Sequence, residues 1–118
     1  MPEISYTRVN DNTPVLVGCA QLTDKRGVEG YNYLEILTEV SKKALIDCEA
    51  SKDFRQEIDT VGVIRFVADT PQRDSATSDL WGYPNMPRSL ARSLGFKAKN
   101  EIYTTTGGNS PQIAINEL

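Results

Sequence analysis

Three short runs rich in β-branched residues alternate along this chain with stretches whose apolar residues recur at helical spacing, and that alternation constrains the fold more than any other feature. The first run, Val15-Leu16-Val17-Gly18-Cys19-Ala20, follows Pro14 and is apolar throughout, the pattern of a strand covered on both faces. A charged loop with two glycines, Gln21 to Tyr31, leads to a helix starting at Asn32. Asn32 stands three residues before Glu35, an N-cap with its capping-box partner, and Leu34, Leu37, Val40, Ser41, Ala44, Leu45 and Cys48 follow at helical intervals. Glu39 and Lys43 are spaced for an i,i+4 ion pair on the solvent side.

The second run, Thr60 to Ala68, is predicted as a strand, preceded by one helical turn within Phe54 to Asp59. A segment from Asp69 to Met86, with Pro71, Gly82 and Pro84, is longer than ordinary connections and reads as functional, interfacial or mobile. Its Trp81, Tyr83 and Met86 suit a partner surface or an acyl pocket, and equally a loop folded back over the sheet. Pro87 is placed to open a short helix through Leu94, and Gly95 to close it. The third strand is predicted over Glu101 to Thr106. After it comes Gly107-Gly108-Asn109-Ser110-Pro111-Gln112, with Ser110 as N-cap and Pro111 as first helical residue.

Strand, helix, strand, helix, strand, helix is an α/β order, which predicts a mostly parallel sheet with right-handed crossovers and helices on both faces. The last helical stretch has about eight residues before Leu118, too few to stand without tertiary support. The expectation is therefore one domain or less, a truncated unit spanning residues 1–118.

Lys and Arg number 13 against 16 Asp and Glu, a net charge of −3, and hydrophobic residues make up 39%, which fits a soluble globular unit. Charges of both signs are interspersed and form no basic stripe for a phosphate backbone, so nucleic acid is not an expected partner. No apolar run approaches the roughly 18 residues of a membrane span, and the polar start lacks a signal-peptide core. A cytoplasmic location without membrane contact is expected. Cys19 and Cys48, one in a strand and one in a helix, read as buried thiols and not as a disulfide or metal site. The chain has no histidine, although acyl-transfer enzymes usually pair their nucleophile with an imidazole or another tuned base.

In order and spacing, three stretches resemble the N-terminal region of the thiolase superfamily. The resemblance is closer still to thiolase-like proteins labelled acetyl-CoA acetyltransferases. Thr13-Pro14-Val15-Leu16-Val17-Gly18-Cys19-Ala20-Gln21 is similar to the opening strand ending in glycine and glutamine. Ile58-Asp59-Thr60-Val61-Gly62-Val63 is similar to the entry to the next strand. The third stretch runs from Pro87 through Ser89-Leu90-Ala91 to Leu94-Gly95, then a strand, then Gly107 to Gln112. The resemblance implies a thiolase-like βαβαβ half, the N-terminal part of a domain that pairs with a similar second one. It also implies acyltransferase chemistry in lipid metabolism, with a CoA ester as substrate and no separate cofactor.

Thiolases place a cysteine at the N-terminus of a buried helix, where free N–H groups and the helix dipole stabilise the thiolate. Here the equivalent position is Gly107 or Gly108, and neither can attack a thioester. No catalytic residue is therefore assigned. The candidate substrate-binding residues are Gly107, Gly108, Asn109 and Ser110, whose turn could bring backbone donors close to an acyl or phosphate oxygen or serve only backbone geometry. Ser110 suits helix capping better than nucleophilic attack, and Cys19 in a buried strand would be inert. The isolated chain is expected to be inactive. The alternatives are a non-catalytic module that binds acyl-CoA or a protein, and a fragment without independent function that associates with itself or with a missing C-terminal half.

Overall fold

The computed structural model describes residues 8–65 and 85–118. The first helix, α1, spans Tyr33–Asp47 and begins as its sequence predicts. The Asn32 side chain accepts from the Glu35 N–H at 2.9 Å, and the Glu35 carboxylate accepts from the Asn32 N–H at 3.4 Å, which together satisfy two otherwise orphaned donors. Leu34 and Leu37 turn one face of α1 toward the core. Between them and the next helix, the buried Thr38 hydroxyl bonds the Leu34 carbonyl and lies 2.7 Å from the Ser93 hydroxyl. Glu39 pairs with Lys42 at 3.1 Å instead of the expected Lys43, because residues three apart also share a helix face.

Strands β1 (Thr60–Val63) and β2 (Asn100–Tyr103) pair in parallel, with Thr60 opposite Asn100 and Val63 opposite Tyr103. A parallel pair needs a crossover, and it contains α2 (Met86–Ser93), which packs on both strands. The Asn85 side chain caps α2 by accepting from the Arg88 N–H at 3.0 Å, Pro87 sits in its first turn, and Gly95 ends it with φ +86°, a conformation that favours glycine. Met86, for which the sequence left open a partner surface, an acyl pocket or a loop folded back over the sheet, is fully buried. It joins Val63, Leu90, Ala91, Leu94, Phe96 and Ala98 in the core. Trp81 and Tyr83 lie outside the described residues, as does the Phe66–Ala68 end of the second predicted strand. The turn expected before β1 is present as a 3-10 turn, Arg55–Glu57.

Both strands are shorter than the sequence suggests, and Thr104 is the reason. Its N–H donates to the Val63 carbonyl at 3.1 Å, but its hydroxyl takes the Arg65 N–H at 3.0 Å, so a side chain replaces the next rung of the ladder. Val61 and Val63 face the core, while Gly62 between them faces Leu118 at the end of α3 (Ser110–Glu117). Helices thus lie on both faces of the sheet, as an α/β fold requires.

The first predicted strand is not in the sheet, which has two strands among the described residues. Val15, Leu16 and Val17 are exposed at 72%, 86% and 63%, and Cys19, expected to be a buried thiol, is exposed as well. The segment is tethered instead to the C-terminal end of α1, where the Cys19 N–H donates to the Asp47 carboxylate at 2.9 Å. Gly18 permits that approach: a Cβ there would lie 2.5 Å from the Ala44 carbonyl and 2.6 Å from the Cys48 sulfur. An all-apolar strand needs cover on both faces, and α1 meets only its backbone.

Candidate functional site

The candidate turn connects β2 to α3. Thr104 anchors its near end through the bonds to Val63 and Arg65, and the Arg65 side chain closes over it, donating from Nε to the Thr104 carbonyl at 3.1 Å. The Arg65 guanidinium stacks 3.9 Å from the centroid of the Tyr103 ring, so it is fixed by a planar contact as well as by hydrogen bonds. The last residues of β2 and the start of the turn are therefore rigidly placed.

Beyond Thr104 the chain turns through exposed residues to Ser110, which is completely buried. The Ser110 N–H donates to the Gly107 carbonyl at 3.1 Å, and its hydroxyl donates to the Thr105 carbonyl in a short hydrogen bond. Ser110 is thus the first residue of α3 and not its cap. Asn109 occupies the cap position without a side-chain cap bond, and its carbonyl accepts from the Ile113 N–H at 3.1 Å. The capping role expected of the Ser110 hydroxyl is replaced by a bond back across the turn, because Ser110 is already inside the helix and its Cα–Cβ bond tilts toward the helix N-terminus, over the residues that precede it.

Gly107, Gly108 and Asn109 remain at the surface, and the N–H groups of Gly108 and Asn109 form no hydrogen bond among the described residues. They sit at the N-terminal end of α3, where the helix dipole favours an electron-rich ligand atom. Neither glycine has positive φ, so the turn does not need glycine for its backbone. Around Gly108 a Cβ would meet nothing within 4 Å, whereas at Gly107 it would come 3.0 Å from the Asn109 side-chain oxygen. Gly108 is the position where a side chain would fit, which favours it as the counterpart of a side-chain-bearing residue at this turn.

Among the described residues neither cysteine comes to the turn. Cys19 lies beside the C-terminal end of α1, and the Cys48 thiol, half-buried there, donates to the Ala44 carbonyl at 3.3 Å. Among the described residues no group of three or more His, Cys, Asp or Glu is placed to hold a metal ion, and no helix is long and apolar enough to cross a membrane.

One feature of the surface escaped the sequence reading. Arg88, Arg92, Lys97 and Lys99 line a single cleft with Glu101 as its carboxylate. The signal was present as an i,i+4 arginine pair beside an alternating Lys-Ala-Lys, but a count of interspersed charges averages it away. Arg88 donates to Glu101 twice, at 2.9 and 3.1 Å, and Asn85 adds a third bond at 2.8 Å. The guanidinium, and then the amide, hold the Glu101 carboxyl below its ordinary range.

A crossover-linked parallel sheet with helices on both faces, and a strand-to-helix turn of exposed backbone donors, make a small α/β unit, and likeness to a solved structure shows its fold to be thiolase-like. The chain is similar to the crystal structure of a monomeric SCP2-thiolase like protein type 1 from Mycobacterium smegmatis, with 35% identity and a TM-score of 0.69. The match covers 93% of this chain and 20% of that one, so the chain spans about one fifth of the length of the structure it matches. No protein-family model and no curated protein matches the chain.

Proposed function

We propose that this chain is part of a thiolase-like protein that handles acyl-CoA thioesters, related to the acetyl-CoA acetyltransferases, and that the chain alone does not perform cysteine-dependent acyl transfer. The observation that supports this reading is the β2-to-α3 turn. A thiolase nucleophile is a thiol at a helix N-terminus, where the dipole lowers its pKa. Gly107 and Gly108 carry no side chain, and the Ser110 hydroxyl is buried and committed to Thr105. The chain also has no histidine to activate a hydroxyl. What the turn retains is the pair of N–H groups of Gly108 and Asn109, which suit a thioester carbonyl or another electron-rich oxygen. Binding and orientation remain, without attack.

Titration calorimetry with acetyl-CoA, followed by intact-mass spectrometry and a free-thiol assay, tests both halves of the proposal. Saturable binding with no acetylated protein and no CoA release above the buffer rate is the expected outcome. A covalent acetyl adduct or measurable CoA release would overturn the non-catalytic half. Failure to bind acetyl-CoA or CoA would overturn the ligand half. The exposed run Val15-Leu16-Val17 favours a second reading, a protein-binding module with a thiolase-like fold, and that second failure would leave it standing.

A further inference from the structure

We propose that the cleft between α2 and the segment leading into β2 binds the phosphates of a small ligand carrying at least two phosphate groups, such as a nucleoside bisphosphate. Two periodicities build it. Arg88 and Arg92 stand one helical turn apart on α2 and share a face. In Phe96-Lys97-Ala98-Lys99, burial alternates, so Phe96 and Ala98 enter the core while Lys97 and Lys99 project to the same outer side. The two pairs of cations face one concavity, walled by Ala91, Phe96 and Ala98. Backbone bonds hold the lysine side in place: the N–H groups of Lys99 and Asn100 both donate to the Asp59 carbonyl, at 2.8 and 2.9 Å.

Charge balance points to an anion. The chain as a whole is negative, at −3, yet this cleft gathers four cations around one carboxylate. Glu101 is used by Arg88 and Asn85 and is attracted more weakly by Lys97, and Arg92, Lys97 and Lys99 form no salt bridge among the described residues. Placing like charges one turn apart on a helix costs stability, and a bound polyanion offsets that cost. A concave site with an arginine and two lysines on opposite walls suits two phosphates on one small molecule more than a flat lipid surface. The site is distinct from the β2-to-α3 turn, so the proposal stands whether or not acyl-CoA is the ligand there.

The test is titration of the full 118-residue chain with adenosine 3′,5′-bisphosphate, coenzyme A and inorganic phosphate at two ionic strengths, for wild type and for R92A/K97A/K99A. Wild type is expected to bind the bisphosphate more tightly than phosphate and to weaken with salt, while the triple variant loses about tenfold or more in affinity. A control with the same charge change elsewhere, K25A/K42A/K43A, is expected to bind as wild type. The double variant K97A/K99A, which leaves α2 untouched, is expected to lose part of the affinity even if the triple variant melts early. Equal losses in the control, equal affinity for inorganic phosphate, or no bisphosphate binding by wild type would each overturn the proposal. So would binding to phosphatidylserine vesicles that only the triple variant abolishes, since the surface would then be a membrane patch. Because coenzyme A carries the same bisphosphate, S-acetylpantetheine, a thioester without a nucleotide, separates the two sites: bisphosphate binding at this cleft with no binding of S-acetylpantetheine would overturn the thioester reading and leave the cleft intact.

Discussion

The hydroxyl of Ser110 donates to the carbonyl of Thr105, tying the first residue of α3 back across the turn that precedes it. Ser110 is fully buried, whereas Thr105 is at the surface. Ser110→Ala therefore removes one partly buried hydrogen bond, at a cost of about 1 kcal/mol. A lower thermal midpoint is expected for this variant, with affinity for acetyl-CoA unchanged within error. Loss of binding without loss of stability would show that the hydroxyl serves a ligand instead of the turn.

The two ends of the chain use glycine for opposite reasons, and substitution separates them. Gly18→Ala drives a methyl group to 2.5 Å from the Ala44 carbonyl and onto the Cys48 sulfur, so destabilisation of about 1–3 kcal/mol is expected. Gly108→Ala meets nothing within 4 Å on a backbone without positive φ, so it should be neutral or stabilising by up to about 1 kcal/mol. Urea denaturation of the two variants beside wild type reads both. Destabilisation by the second would mean that the turn requires glycine and that Gly108 is not the open position.

Local signals in the sequence carry their information wherever a residue's partners are a few positions away. Asn32 and Glu35 announce α1, Pro87 and Gly95 bracket α2, and the parallel pairing of the Thr60 and Glu101 runs follows from the helix between them. Residue type alone is silent where a contact depends on tertiary packing or on the path of a turn. An apolar run such as Val15 to Ala20 says only that cover is needed, not whether it is at hand, and here α1 supplies a carboxylate for one backbone N–H and little else. Ser110 also has cap chemistry, but its hydroxyl bonds a carbonyl five residues back, a choice set by the turn and not by residue type. The cation cleft left a local trace in Arg88, Arg92, Lys97 and Lys99, but nothing local says that the two pairs line one concavity, which depends on how α2 packs against the segment that follows it.

Asp53 accepts from the Arg55 side chain at 2.6 and 3.0 Å and from its N–H, and these bonds hold its pKa down at about 2, below the usual 3.8. Arg55 in turn donates to the Leu94 carbonyl at 2.9 Å, so Asp53 positions the group that closes the end of α2. The folded state favours the ionised carboxylate. Its contribution to stability is therefore full above the ordinary carboxylate pKa and is lost as pH falls through about 2. Asp53→Asn should lower the melting midpoint at about pH 5 and converge with wild type near the acid end, where both lack the charge. A constant offset between the two curves would show that shape, not charge, connects Asp53 to Arg55.

The consecutive exposed side chains of Val15, Leu16 and Val17 point to the remaining expectation. Single apolar residues on a surface are ordinary, but three in succession whose N–H and C=O groups make no backbone hydrogen bond among the described residues present apolar faces and free backbone groups together, the conditions for strand-to-strand association. The chain spans a fifth of the length of the monomeric structure it resembles, so a monomeric relative does not by itself predict a monomer here. In sedimentation velocity the isolated chain should show a weight-average coefficient that rises with concentration. Leu16→Lys places a charge at the most exposed of the three, at 86%, and should shift the distribution toward monomer without lowering the melting midpoint, because that side chain has little packing to lose. A concentration-independent monomer in wild type would mean that this segment needs no cover. Association that persists in Leu16→Lys would place the contact elsewhere on the surface.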